Sequence, residues 1–517
     1  MKNFLFVVML LSPHVKAQKG KLYDLAMGDH EVGFKIITVY DLSRPPLYTS
    51  DIYGKLGKLQ NEHGRRIRIS VWYPAVKKPS PQMNWEDYVA ELAPAGSPKA
   101  NVFEEGLTIY LEGINDLRDK PLTKKELGEL RGLSMNAHKN AGNEKGRFPL
   151  LLFPAYQSPT KISILAEYLT SHGFVVASVG LAGTESEIPE ISPQGIQTMT
   201  LDLLFALNYL RTKSFVDNGK LAAMGVGINA TAVFSLKAAT AEVNALISLE
   251  GGILSASEMQ FLRRSVSYDP TKFQCPSLFI YAPHPSIQPK NVEELKYADK
   301  YFIHFAKMSE YYFLDFGMLD RFIPGIIGTP PGNVKRGYEL AAGSVLQFLQ
   351  FSLNNDKHAR DRLMSANVPP SYDSVEVTKS FVPGLPVVPS LAQLENLIAT
   401  KGISSFQEIY GKTRATSSQP FTQQYLTDLY NWLAYKRDPD YINRKAIATA
   451  LVELYPASSR AHFAFANVCF QMNNKETAIL HYKEALKLLP GDADSEVTPA
   501  VRQRIETIST ANLKKME

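Results

Sequence analysis

The segment Lys220-Leu221-Ala222-Ala223-Met224-Gly225-Val226-Gly227-Ile228-Asn229-Ala230-Thr231-Ala232 constrains this chain more than any other. An apolar run gives way to a glycine-rich bend and then to residues that suit the first turns of a helix. A strand entering a helix through so tight a turn lifts one side chain above the strand ends. In the pattern G-x-S-x-G, whose serine sits at the tip of such a turn, Gly225 takes the first glycine and position 227 takes the serine. Position 227 is glycine. A frame two residues later puts Asn229 at the tip and drives the strand through Gly225, which strand geometry disfavours. Neither frame supplies a hydroxyl, thiol or carboxylate. Glycine does suit the backbone geometry that a serine there holds under strain.

A chain of 517 residues, 45% hydrophobic and 21% charged, is too long for one core, so two or three domains are expected. Ten per cent aromatic residues argue against disorder. At the N-terminus, Lys2, the apolar run Phe4 to Leu11 and Val15-Lys16-Ala17 follow the order of a signal peptide over residues 1–17. The mature chain then begins at Gln18 and is exported, to the periplasm or the outside. No cysteine follows the apolar run, as a lipid anchor would need, and no stretch is long enough to span a bilayer. Removal of Lys2 and Lys16, with no acid, takes the formal charge from +5 to +3. That is too little for nucleic-acid binding, and no basic run with interleaved aromatics is present. Cys275 and Cys469 fall in different expected domains, so neither a disulfide framework nor a zinc site is indicated. No cofactor is implied.

Four blocks follow the leader. Residues 18–75 read as a β region, with strands over Val32 to Asp41 and Arg65 to Tyr73. Residues 76–147 are polar and read as a helical insertion or cap, partly mobile, of the kind that covers a site. Residues 148 to about 355 alternate apolar strands (150–153, 174–179, the turn strand, 244–249, 277–281, 311–316) with helices (163–171, 198–210, one through 239, 338–353). Fully apolar strands between helices imply a parallel sheet covered on both faces. Ligands of such sheets bind at the carboxyl ends of the strands. Proline-rich residues 361–389 read as a linker, and 390–517 as an all-α domain. Within it, Ala466, Cys469, Ala478, Tyr482, Ala485 and Pro490 fall at tetratricopeptide spacing, where small and aromatic residues let two helices pair closely. A protein partner on this domain is one expectation, and simple attachment to the main domain the other.

The segments Phe148-Pro149-Leu150-Leu151-Leu152-Phe153 and Leu165-Ala166-Glu167-Tyr168-Leu169-Thr170-Ser171-His172-Gly173-Phe174-Val175-Val176-Ala177, with Ile67 to Pro74 before them, resemble α/β-hydrolases of the dienelactone hydrolase and platelet-activating-factor acetylhydrolase type. The resemblance covers about residues 31–353, within an expected hydrolase domain of 18–360. It implies an ester-hydrolase lineage working through serine, acid and histidine. Serine is a weak nucleophile until an imidazole takes its proton, and the acid fixes the imidazole's tautomer.

Carried over position by position, the nucleophile falls on Gly227 and is vacated. The acid falls on Glu250, after the strand that follows the turn helix; the bland alternative is a loop carboxylate capping a turn. The histidine falls on Leu319, or on Asp320 with a one-residue gap, and neither is a base of the required kind. His284 and His304 are the nearest histidines. The turn after the first long strand, where backbone N–H groups of such enzymes hold an oxyanion, reads Pro154-Ala155-Tyr156-Gln157-Ser158-Pro159. Tyr156, Gln157 and Val226 are therefore expected to line the pocket, and Ser158 is the one hydroxyl at that mouth suited to substitute as a nucleophile. Two expectations result: a catalytically impaired protein that binds a small ester-like ligand or a partner, or an active carboxylic ester hydrolase with a relocated nucleophile.

Overall fold

The computed structural model describes residues 24–50, 56–58, 63–77, 80–93, 98–99, 101–111, 117, 121–156, 159–185, 189–365, 375–435 and 440–516. The expected leader lies outside the described residues. The chain divides into two units, Met1–Gly384 and Leu385–Glu517.

The first unit opens with β1 (Glu31–Asp41), β2 (Tyr48–Ser50), β3 (Leu56–Lys58), β4 (Arg65–Ala75) and β5 (Gln82–Asn84). Then come α1 (Trp85–Ala90), α2 (Val102–Leu111), α3 (Lys124–Arg131) and β6 (Ser134–Lys139). The alternating part is β7 (Phe148–Tyr156), α4 (Ser163–Ser171), β8 (Val175–Leu181), α5 (Pro193–Leu210), β9 (Val216–Val226), α6 (Ile228–Ala239), β10 (Ala245–Leu249), α7 (Ala256–Arg263), β11 (Ser277–Tyr281) and β12 (Lys300–Phe305). It closes with α8 (Phe316–Leu319), α9 (Val334–Asn354), α10 (Lys357–Met364) and β13 (Val377–Val382).

One 11-stranded sheet runs in the order β13-β12-β11-β10-β9-β7-β8-β4-β1-β6-β5. From β8 to β12 all neighbours are parallel, while β4 lies antiparallel to both β8 and β1. The run β1-β4-β8-β7-β9-β10-β11-β12 is an α/β-hydrolase fold. Its central strands are apolar because both faces are covered: Leu151 and Phe153 of β7 enter the core that holds α4 and α9, while Leu150 and Leu152 enter the core that holds α5 and α6.

Three segments differ from their sequence reading. The strand expected over 311–316 is instead a 3₁₀ turn at Glu310–Phe313 leading into α8. Its aromatic residues are buried side by side, Tyr312, Phe313 and Phe316 among them, which mimics a strand pattern. The last parallel strand is β12, disguised by Lys300 and His304; Lys300 is buried and spends its ammonium on the Leu295 carbonyl at 2.8 Å. The second segment is the insertion, which extends the sheet edge through β5 and β6 as well as adding helices. It buries Trp85, Tyr88 and Tyr110 in the main core. The third is the expected linker, which contributes α10 and then β13, paired antiparallel along all of β12.

The second unit is all α: α11 (Leu391–Lys401), α12 (Ser404–Arg414), α13 (Gln423–Ala434), α14 (Tyr441–Leu454), α15 (Ser459–Gln471), α16 (Lys475–Leu488) and α17 (Pro499–Met516). Ala466, Cys469, Ala478, Tyr482 and Ala485 are all fully buried. Small side chains on α15 and α16 let the two helices close on each other, and the Tyr482 hydroxyl donates to Asn467 Oδ1 at 2.7 Å. Among the described residues no helix is long and apolar enough to cross a membrane.

Candidate functional site

The turn at the end of β9 has the geometry its glycines imply. Gly227 caps α6 with φ +52° and ψ −133°, a left-handed conformation that strains any side-chain-bearing residue. A Cβ on Gly225 would lie 2.5 Å from the Ala230 amide, so strand and helix cross too closely there for anything larger. Gly227 N–H is shared between the carbonyls of Leu249 (3.1 Å) and Glu250 (3.2 Å), which latches the turn to the end of β10. The frame with its tip at 227 is the one the backbone adopts. Asn229 lies in the first turn of α6, with its Oδ1 buried and without a hydrogen-bond partner among the described residues.

Beside the turn, Glu250 ends β10 in the left-handed region (φ +51°), followed by Gly251 and Gly252, also left-handed. Three such residues in a row, one of them a glutamate, cost on the order of 1–3 kcal/mol at the non-glycine position. Neighbouring strands hold it: Glu250 N–H donates to the Ile280 carbonyl (2.7 Å), and Ala282 N–H donates to Glu250 Oε2 (3.2 Å). Glu250 is 6% exposed.

The side chain that reaches over Gly227 is Glu310, in the turn after β12. A Cβ at position 227 would sit 3.2 Å from Glu310 Oε1. A nucleophile placed at 227 would therefore face a carboxylate. Glu258, on α7, completes an acidic group. Burial pushes the Glu250 carboxyl up to about 8, the Glu310 charge adds to this, and the Ala282 amide opposes it. Burial and then the Glu310 charge bring Glu258 to about 7. Glu310 is exposed, yet the protein packed around its carboxyl raises it too, against the pull of His284. Glu250 and Glu258 thus compete with Glu310 for negative charge, and all three hold their protons more tightly than free carboxyls do. Among the described residues no group of three or more His, Cys, Asp or Glu is arranged to hold a metal ion.

The other expected positions lie elsewhere. Leu319 is fully buried on α8 within the apolar core, and Asp320 accepts a hydrogen bond from Gly325 N–H (2.8 Å). The expected histidine position was displaced because it was counted from a strand that is not there; counted from β12, the turn after the last parallel strand holds Glu310. Val226 turns into the core instead of lining a pocket. Tyr156 ends β7 with its backbone paired to Leu181, and its side chain, Gln157 and Ser158 lie outside the described residues. His304 is on β12, its ring 5.0 Å from that of Tyr281. His284 is exposed in the loop after β11, and its Nδ1 lies 2.7 Å from Ser286 Oγ and accepts from Ser286 N–H at 3.3 Å. Glu258 and Glu310 were not anticipated, since neither sits in a motif; recognition of β12 would have pointed to Glu310.

No family model matches the chain, and no curated protein matches it. Among solved structures it is similar to a ferulic acid esterase from Streptomyces cinnamoneus, at 16% identity, over 69% of this chain and 98% of that one, with a TM-score of 0.46. The fold assignment rests on the strand order, not on this likeness.

Proposed function

We propose that this chain is a protein of ester-hydrolase lineage, exported, that has lost serine hydrolysis and acts by binding a ligand at the vacated turn. The observation that carries the reading is the pairing of Gly227 with Glu310: no nucleophile stands at the tip, and a carboxylate stands where an imidazole would have to reach it. Glu250 keeps the acid's place. Without serine and histidine, the triad's contribution to rate is gone. A cluster whose carboxyls are held up by burial, and at Glu250 and Glu258 also by the Glu310 charge, gains most from a cationic ligand, because an ammonium lets them ionise. The ligand class is therefore an organic amine. The helical unit, with its tetratricopeptide-like spacing, is proposed as the place of any protein partner; loss of that partner from a chain cut after residue 384, which leaves β13 on β12, would support this.

The test uses an alkylammonium ion and the alcohol of equal chain length. Binding to the folded state raises the melting temperature in proportion to occupancy. The amine should raise it, the alcohol should not, and Glu310→Gln should abolish the shift. Equal shifts with both compounds, or an unchanged amine shift in Glu310→Gln, would remove the reading.

A second reading is favoured by one contact, that between Ser286 Oγ and His284 Nδ1 at 2.7 Å. In it the protein is an active carboxylic ester hydrolase with its nucleophile relocated to Ser286. Fluorophosphonate labelling that maps to Ser286 and vanishes in Ser286→Ala would establish it and exclude the first.

A further inference from the structure

We propose that His462 and His481 form a proton-operated joint between α15 and α16. His462 is 7% exposed, and its Nε2 lies 3.0 Å from the Pro456 carbonyl oxygen. A carbonyl only accepts, so Nε2 carries the hydrogen and Nδ1 of the neutral ring presents a lone pair. That Nδ1 is 2.8 Å from His481 Nδ1, which must therefore be the donor. The rings lie 5.0 Å apart with planes 26° from parallel, and Phe465 packs edge-on against His481 at 4.6 Å. Both tautomers are thus dictated by a single carbonyl.

The consequence for protonation is ordered. A first proton enters at His481 Nε2 and leaves the bond between the rings in place, now charge-assisted. A second can enter only at His462 Nδ1, which would set two N–H groups against each other across 2.8 Å. That proton opens the joint. Burial, and then the neighbouring His462, lower the His481 pKa from 6.5, while Glu484 opposes them. The closed pair has room for one added proton where two separated histidines take two, so the folded state binds fewer protons than the unfolded chain below the ordinary histidine value of 6.5, and stability falls as pH drops through that point. The other charges near the pair are already spent. Glu484 of α16 is paired to Lys487, Arg460 of α15 to Asp494, and Arg502 of α17 donates to the Leu489 and Asp492 carbonyls; from the turn before α15 the Pro456 carbonyl faces the rings.

The experiment is amide hydrogen exchange on the full chain, corrected for intrinsic rates, at about pH 7.5 and about pH 5, either side of the histidine range. Protection of the α15–α16 amides should fall about tenfold or more at the lower pH, with no matching fall in α11–α13. In His481→Gln, whose amide donates to neutral His462 Nδ1 and turns over to accept from the protonated ring, no clash of two N–H groups arises and that fall should vanish. Unchanged protection in the wild type, or an equal fall in His481→Gln, overturns the proposal. Should the variant not fold, ¹⁵N histidine shifts of the wild type decide it: at neutral pH His481 must carry its hydrogen on Nδ1, and hydrogen on Nε2 overturns the joint.

Discussion

The first unit holds two sets of carboxyls with raised pKa values, one wholly buried and one reaching from buried Glu250 to exposed Glu310, and they are built in opposite ways. Beneath α4, Glu167 accepts from Tyr88 Oη (2.8 Å), Asn136 N–H (2.7 Å), Asn136 Nδ2 (3.2 Å) and Ala137 N–H (3.1 Å). Asp315 nearby accepts from Ser163 Oγ (2.6 Å) and Ile164 N–H (3.1 Å). Around Gly227, by contrast, Glu250 has the Ala282 amide, and Glu258 and Glu310 have no hydrogen bond to a described residue. Burial raises the pKa of both sets. On the proposed reading, the difference separates a structural carboxyl from one kept for a ligand. A buried acid whose lone pairs are filled by its own protein ties elements together, and here Glu167 ties the insertion to the hydrolase core. Acids left short of donors at the strand ends cost stability unless something else arrives.

The comparison breaks most visibly at Glu167. Glu167→Ala removes the acceptor of four donors, two of them fully buried, and should cost about 3 kcal/mol or more in urea unfolding. A cost below about 1 kcal/mol would mean that those bonds contribute no more than surface ones. Next comes Gly227→Ser, which forces a side chain into the left-handed region and against Glu310. It should lose about 1–2 kcal/mol and gain no esterase activity. Adding Glu310→His to it sharpens the point, because the pair then has an imidazole over position 227 and Glu250 behind it; short-chain aryl-ester turnover should rise above that of the single variant.

The pH dependence has the sign of a raised acid. Folded Glu250 holds its proton up to about 8, whereas the unfolded chain releases it at 4.5, so stability falls as pH rises between those values. Glu250→Gln keeps an acceptor for the Ala282 amide and should flatten that slope in unfolding midpoints. An unaltered slope would contradict the burial of this carboxyl. The smallest effect is in Glu310→Gln, which should lower the Glu250 midpoint in ¹³C-carboxyl NMR by removing a like charge, while global stability stays within about 0.5 kcal/mol.

Much of this was legible in the sequence, for physical reasons. Gly225 announces the turn because nothing larger fits a crossing this close, and Gly227 because its left-handed backbone strains any side chain. The apolar strands 150–153, 174–179 and 244–249 stand out because both faces of the sheet are covered. What misled was local pattern without long-range context. Tyr311 to Phe316 resembles a strand although its rings fill gaps under helices, and Lys300 and His304 hide the real one. Glu310 then escaped notice, since its meaning comes from standing across the sheet ends from Gly227, a separation that no motif encodes. The buried role of Trp85, Tyr88 and Tyr110 was masked in the same way by the polar residues around them.

The central claim is that nothing in this site can activate a hydroxyl at the turn. The measurement that reaches it most directly is fluorophosphonate labelling of the wild type and of Gly227→Ser, read by intact mass at neutral pH. The expected result is that neither protein takes the label. Stoichiometric labelling of Gly227→Ser at position 227, or of the wild type at any residue, would contradict it, because a working base would then already lie within reach.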